Sequence, residues 1–320
     1  MPLRHLNLNS KNHIMDSPQK NSKKLKIAVQ VFGHMRTFEK CAPSLKKYFL
    51  RYYDCDIFIQ TWSTLDHKTK TWHKRKTFGH SIERSQFENK IQSLYNTTKT
   101  KIEDQVPEDL GIYEASSTRT LSIYGIQSMF YSMEQVNKLR EVYECQSKTK
   151  YDYVLMIRPD ILLKKRLRIE QFTKLFSEEE TTSAVFSAGF NNKPIINELR
   201  FVEAIDVMFF AKPQTMTKLL NDHQAMTQDA QRVSHLKKFG PEYLLYRQAA
   251  SKGIDFNIID FKMNKSWEIL RLTPFITRKK IIQLHIKKNR TNIVLLGCLP
   301  QILKLKITIF SYPLSIAVGT

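Results

Sequence analysis

The residue types best suited to binding a phosphate group occur directly after apolar runs of the sequence. In Ile157-Arg158-Pro159-Asp160, an arginine and an aspartate are separated by one proline. A guanidinium holds phosphate oxygens through two parallel hydrogen bonds, and a carboxylate can hold a divalent cation that neutralises a diphosphate. Pro159 restricts the backbone between the two side chains. This segment therefore indicates a metal or diphosphate site, and the alternative is a structural ion pair between Arg158 and Asp160.

Two further segments offer groups that suit a nucleotide. After an earlier apolar run, Gly33 permits close approach of the backbone to a ligand, and His34 and Arg36 follow it. A second run ends in Thr61 and Trp62, which supply a hydroxyl and an aromatic plate for a base or a sugar. The alternatives are an ordinary turn with a solvated arginine at the first segment and a core aromatic at the second.

Two carboxylates are candidates for accepting a proton during catalysis. Asp206 precedes the apolar run 207–211, and Glu242 opens a helical pattern that begins at Pro241. The alternative for both is an ordinary solvated carboxylate. No spacing typical of metal ligands relates His34, His67, His73 and His80.

The elements that position these groups alternate between strands and helices. Short apolar runs predict strands at 25–32, 56–61, 99–103, 153–157, 183–188, 207–211 and 254–259. Helical spacing predicts helices from Pro43 to Tyr52, around 87–94, over 123–142 and over 241–250, with loops at 66–85 and 104–121. This alternation indicates an α/β fold, a Rossmann-like and mostly parallel sheet flanked by helices. Ligands bind such a sheet at the carboxyl ends of its strands.

The composition and the two ends of the chain frame this domain. The chain has 51 Lys and Arg residues and 30 Asp and Glu residues, and the resulting net charge of +21 attracts polyanions. Hydrophobic residues make up 42% of the chain, which argues against a mainly disordered protein. We expect a flexible basic arm at 1–24, one catalytic domain at 25–275 and a tail at 276–320. The tail is basic, apolar and too broken to span a bilayer, so we expect it to bind an anionic membrane surface.

The four cysteines and the start of the sequence bear on the compartment. Cys41, Cys55, Cys145 and Cys298 are far apart, so neither a zinc site nor a disulfide framework is indicated. Residues 1–24 contain no apolar segment of a secretory signal. We therefore expect cytoplasmic residence, with peripheral attachment at the inner face of the membrane.

Three motifs in this order resemble a known family. They are Gly33-x-x-Arg36-Thr-Phe, Asp56-Ile-Phe-Ile-x-Thr-Trp62, and Tyr151-Asp-Tyr-Val-x-x-x-Arg158-Pro-Asp160. The combination is similar to small bacterial glycosyltransferases of the GT-A type encoded in surface-polysaccharide gene clusters, such as those for lipopolysaccharide or capsule. The likeness covers about residues 25–271.

The resemblance implies a fold, a reaction and a set of site residues. It implies a GT-A-like domain that moves a sugar from a nucleotide sugar to a glycan or lipid-linked acceptor. Asp160 would bind Mn²⁺ or Mg²⁺ or the diphosphate, and the loop from Gly33 to Arg36 would lie against the nucleotide. Arg158 stands where an Asp-x-Asp motif has its first acid, and an arginine can do part of the cation's work. We expect Asp160→Ala to abolish turnover and to leave the fold intact.

Two other functions stay open at this point. A basic protein that binds nucleic acid would use the net positive charge. The sequence contains no recognised nucleic-acid-binding motif, however, so we do not expect nucleic acid as a partner. A nucleotidyl or phospho-group transferase would use the same fold for different chemistry.

Overall fold

The predicted apolar runs form the strands of one central sheet. The structure, a computed structural model, describes residues 4–5, 24–66, 83–106, 108, 110–116, 119–189, 204–233 and 240–271. The strands of the central sheet are β1 (Arg4–His5), β2 (Lys26–Phe32), β3 (Asp54–Trp62), β4 (Thr100–Glu103), β7 (Tyr153–Ile157), β9 (Ala184–Gly189), β10 (Ala204–Ala211) and β11 (Asp255–Lys262). Two small sheets pair β5 (Ile112–Ser116) with β6 (Arg119–Ser122), and β8 (Ile161–Leu163) with β12 (Trp267–Ile269).

The strand order creates a switch point in the middle of the central sheet. The order is β4-β3-β2-β7-β10-β9-β11-β1, and every neighbouring pair is parallel except the two pairs that involve β10. From β2 the chain proceeds outward to β3 and β4, whereas the later strands β9, β10 and β11 all lie on the other side, beyond β7. In open α/β sheets, a crevice forms at the carboxyl ends of the two strands where the order reverses. The fold therefore places its natural binding crevice where β2 and β7 end.

Helices cover both faces of the central sheet. One face carries α1 (Phe38–Tyr48), α2 (Arg84–Tyr95) and α4 (Ile169–Thr173), and the other carries α3 (Ile123–Ser147), α6 (Pro213–Leu220), α7 (His223–Val233) and α8 (Pro241–Ser251). A 3-10 turn at Leu50–Tyr52 follows α1, and the short α5 (Glu178–Thr182) precedes β9. Side chains of each strand alternate between the two cores, so Leu155 of β7 packs with the α1 face and Val154 with the α3 face. The result is an α/β fold with a mostly parallel sheet, as predicted.

Asp56, the first residue of the second motif, holds the starts of three strands together. The Tyr151 hydroxyl donates to Asp56 Oδ2 at 2.8 Å, and Lys99 Nζ lies 2.6 Å from Asp56 Oδ1. These groups lie where β3, β4 and β7 begin, which is the edge opposite to Arg158. The second and third motifs therefore meet at the starts of their strands, where Tyr151 and Asp56 are hydrogen-bonded.

The predicted start of α1 is wrong. The helix begins at Phe38, five residues before Pro43, and Pro43 lies inside it. Phe38, Cys41, Ala42 and Leu45 are all buried at helical spacing, and this apolar stripe stabilises the first turns. Proline leaves only the carbonyl of residue 39 without its helical donor, so the packing outweighs the lost bond.

Two other expectations also need correction, and one strand has an orientation that was not predicted. The predicted loop at 104–121 contains the β5–β6 hairpin, whose strands are separated by a serine and a threonine in place of the usual turn residues. The basic arm contributes Arg4–His5, which pair in parallel with β11. Strand β10 runs antiparallel, which an apolar run buried on both faces cannot reveal.

The predicted membrane-binding tail begins at 276 and lies outside the described residues, as do His67, His73, His80 and Cys298. Among the residues that the structure describes, no helix is both long enough and apolar enough to cross a bilayer.

Helix α3 offers a matched test of the packing. The apolar spacing that predicts this helix includes Val136 and Val142, and it implies that both are buried. Val136 is fully buried, but Val142 is 53% exposed, so the expectation for Val142 is wrong. We expect Val136→Ala to lower the free energy of unfolding by about 2 kcal/mol, because two buried methyl groups are lost. Val142→Ala should change it by less than about 0.5 kcal/mol. Urea unfolding of both variants checks this, and equal effects would contradict the described packing.

Candidate functional site

One buried carboxylate at the end of β7 is surrounded by three arginines. The side chain of Asp160 has no exposed surface. Arg158 donates to both of its oxygens, through Nε to Oδ1 at 3.0 Å and through Nη2 to Oδ2. Arg36 Nη1 donates to Oδ2 at 3.1 Å, and Arg271 Nη1 donates to the same oxygen at 3.2 Å. We call Asp160 and these three side chains the arginine cluster.

Arg36 reaches the cluster from the loop that joins β2 to α1. Its backbone has a φ of 41°, in the left-handed region that non-glycine residues seldom adopt. Two bonds hold this conformation, from the Arg36 amide to the Leu65 carbonyl at 2.8 Å and from Arg36 Nε to Asp66 Oδ1 at 2.9 Å. A strained residue held in this way at a candidate site is a functional indication. The Arg36 guanidinium is thus fixed between Asp66 and Asp160.

Arg271 reaches the cluster from the far end of the described chain. Strand β12 pairs with β8, which follows Asp160 directly, and this pairing carries the next residues back to the site. The Leu270 amide donates to the Asp160 carbonyl at 2.8 Å, and the Thr37 hydroxyl donates to the Leu270 carbonyl at 2.6 Å. Sequence analysis missed Arg271, because only the long-range pairing of β12 brings it near Asp160.

The loop that begins at Gly33 is held in place by hydrogen bonds to α3 and, through α3, to the sheet. Gly33 has a φ of 87°, and its amide donates to Ser132 Oγ of α3 at 2.7 Å. Ser132 donates to Gln60 of β3, and Gln60 Nε2 donates to Glu103 of β4 at 3.0 Å. This chain of hydrogen bonds connects the loop to α3 and to two strands, so the position of the loop is set by the sheet.

Three residues that were predicted to contact a ligand, His34, Thr61 and Trp62, are buried in or near this loop. His34 Nδ1 lies 3.0 Å from the Thr64 carbonyl, and the Thr61 hydroxyl donates to the Trp62 carbonyl at 3.4 Å. The Trp62 ring stacks on Tyr131, with centroids 5.7 Å apart and planes at 24°. These contacts are those of a core that supports the loop. The roles of His34, Thr61 and Trp62 in binding a ligand stay predictions.

The two candidate proton acceptors occupy different elements. Asp206 lies near the start of β10, and the next residue, Val207, accepts from the Arg158 amide at 2.9 Å. Because β10 is antiparallel to β7, its start lies at the edge where β7 ends, beside the arginine cluster. Glu242 is half-buried in the first turn of α8. The structure therefore brings Asp206 to the cluster, while the catalytic role of each carboxylate stays a prediction.

Opposing effects set the ionisation of the cluster. Burial would raise the pKa of Asp160, but the charges of Arg158, Arg36 and Arg271 lower this pKa to about 2. Burial lowers the pKa of Arg271 to about 9, and repulsion from Arg158 and Arg36 contributes to that shift. Burial raises the pKa of Asp206, with a further contribution from Asp160, against the lowering effect of Arg158 and Arg271. The site therefore holds one strongly ionised aspartate and one that takes up a proton more easily.

The fold and the site define an α/β protein with an arginine cluster at the switch point of its sheet. Neither a comparison with protein families nor one with curated protein sequences finds a match to this chain. Within the described part of the chain, no group of three or more His, Cys, Asp or Glu side chains could hold a metal ion. The metal role of Asp160 remains a prediction.

The ion pairs of Asp160 predict a pH-dependent loss of stability in Asp160→Asn. Removing a buried carboxylate from its arginines should cost roughly 3–5 kcal/mol near neutral pH. The lowered pKa means that the stabilisation is fully present above 3.8 and is lost as pH falls toward about 2. Urea unfolding of both proteins, from pH 6 to the lowest pH at which both fold, should show the difference shrinking. A constant difference would contradict this ionisation.

Proposed function

We propose that this chain is a glycosyltransferase that uses a nucleotide-sugar donor and binds its diphosphate at the arginine cluster. The observation that carries the proposal is the position of the cluster, because Arg36, Arg158 and Asp160 meet where β2 and β7 end at the switch point of the sheet. Nucleotides bind open α/β sheets at this point. The GT-A resemblance of the three motifs supports the same conclusion, and the strand arrangement is compatible with it.

In the proposed reaction, the acceptor hydroxyl oxygen attacks the anomeric carbon of the donor sugar. The new glycosidic bond forms as the bond from that carbon to the β-phosphate oxygen breaks, and its electron pair stays on the departing nucleoside diphosphate. Guanidiniums fixed before the reaction stabilise this developing charge without reorganising. Arg36 and Arg158 are fixed by carboxylates, which suits them to this role.

For an inverting transfer, a carboxylate must take the proton of the acceptor hydroxyl. We assign this role to Asp206, because it lies next to the arginine cluster and burial raises its pKa. A raised pKa makes the carboxylate a stronger base. Glu242 is the second candidate, from the first turn of α8.

The acceptor in this proposal is a surface-polysaccharide glycan or its lipid-linked precursor, handled on the cytoplasmic face of the membrane. The basic and apolar tail at 276–320 would bring the enzyme to anionic lipid there. This part of the proposal is supported by the composition of the tail and by the family resemblance, and the described residues do not bear on it.

A panel of nucleotide sugars tests the function. At about one hundred times its Kd, the true donor should raise the melting temperature by roughly 5–10 °C, and its slow hydrolysis should release the nucleoside diphosphate. Arg36→Gln should lose both effects, and Arg247→Gln, whose guanidinium pairs with Asp229, should keep them. The proposal fails if no nucleotide sugar protects the protein. Tight, salt-sensitive binding to DNA or RNA in the same assay would then favour a nucleic-acid-binding function.

Substituting the two carboxylates separates their roles. We expect Asp206→Asn to lower kcat by roughly 10²–10⁴-fold with little change in donor affinity, since the base acts only after the donor is bound. Glu242→Gln should retain most of the activity. Because the base must be ionised, wild-type kcat/KM should fall with decreasing pH at a point above 3.8, the ordinary aspartate pKa. The reverse ranking of the two variants would move the role to Glu242.

A further inference from the structure

The residues around Asp160 do not fit the divalent cation that the family resemblance implies. Both carboxylate oxygens already accept hydrogen bonds from arginine, and the side chain has no exposed surface. Mg²⁺ and Mn²⁺ prefer several oxygen ligands around a largely open coordination sphere. Three guanidiniums in contact with the same carboxylate would also repel a cation.

We infer that the donor diphosphate is bound without a metal ion, by the guanidiniums of Arg36, Arg158 and Arg271. This inference rests on the proposed function and deepens it, because it names the group that replaces the cation. It also assigns a ligand-binding role to Arg271, which lies outside all three sequence motifs.

The charge balance of the site supports an anionic ligand. Three guanidiniums, those of Arg36, Arg158 and Arg271, outnumber the two carboxylates, Asp160 and Asp66, that pair with them. Burial lowers the pKa of Arg271, and repulsion by Arg158 and Arg36 lowers this pKa further. A bound anion would relieve that repulsion, so the cluster is arranged to gain stability when it takes up a diphosphate.

The hydrogen-bonding capacity of the cluster supports the same ligand. Each guanidinium has five N–H groups. The described bonds use two from Arg36, two from Arg158 and one from Arg271. Guanidiniums pair with phosphate oxygens in a planar, two-bond geometry, and a diphosphate offers oxygens on two phosphorus atoms. Within the described residues, Arg271 has the largest unused capacity of the three.

Exposure assigns Arg271 to the ligand side of the cluster. The side chain of Arg271 is 37% exposed, compared with 14% for Arg36 and 13% for Arg158. Its backbone is held in place, because Leu270 bonds to both Asp160 and Thr37. Asp160 thus acts as the internal counter-charge that positions the guanidiniums, and Arg271 is the most exposed of the three arginine side chains.

Binding of inorganic pyrophosphate to the full chain in EDTA tests the inference. Isothermal titration should detect binding by the wild type in EDTA, and added Mg²⁺ or Mn²⁺ should not tighten it. Arg271→Gln should weaken binding by roughly ten- to a hundredfold, which corresponds to the loss of charged hydrogen bonds. Arg271→Lys should recover part of the affinity, because it restores the charge but not the planar fork.

Arg166→Gln is the matched control. Arg166 has a similar side-chain exposure of 31%, but it stacks over Tyr52 near the end of α1, at the opposite edge of the sheet. This variant should bind pyrophosphate like the wild type. Circular dichroism of each variant confirms that it folds, and the wild-type titration in EDTA remains decisive even if Arg271→Gln does not fold.

The outcomes separate this inference from the proposed function. Pyrophosphate binding that requires Mg²⁺ or Mn²⁺, or that is unchanged in Arg271→Gln, overturns the inference even where sugar transfer is observed. Metal-free binding that depends on Arg271, in a protein that transfers no sugar from any donor, supports the inference and rejects the glycosyltransferase proposal.

Discussion

The site depends on one interaction, the burial of the Asp160 carboxylate among three guanidiniums. A buried carboxylate without partners would be protonated or would unfold the protein. Here Arg158 comes from the same strand end, Arg36 from the loop after β2, and Arg271 from the chain after β12. Since each arginine comes from a different segment, Asp160 ties together three parts of the fold and sets the spacing of three positive charges at one edge of the sheet.

The sheet topology explains why the charges meet at that edge. Parallel β2 and β7 are neighbours, so the residues that follow them emerge together, and antiparallel β10 brings Asp206 to the same edge from the opposite direction. The chain of bonds from Gly33 through Ser132 and Gln60 then supports the loop that carries Arg36. Folding, site geometry and the proposed charge stabilisation therefore share the same contacts, and a substitution at Asp160 affects all of them.

The sequence predicted the parts of this arrangement that depend on local pattern. Apolar runs located the central strands other than Arg4–His5, and the rule that ligands lie at strand ends selected Arg36 and Arg158 with Asp160. Features that depend on distant contacts were missed. Arg271 is brought in by pairing between β12 and β8, and the early start of α1 follows from an apolar stripe that Pro43 concealed. The stacking of Trp62 on Tyr131 could not be read from the sequence, because Tyr131 lies on a distant helix.

The most direct test of the central claim is a crystal structure of the protein with a bound nucleoside diphosphate, grown in EDTA. The account predicts a β-phosphate within hydrogen-bond distance of the Arg36 and Arg271 guanidiniums, with Asp160 still buried behind them and paired to Arg158. A nucleotide bound at another edge of the sheet, or a phosphate held away from these arginines, would contradict it.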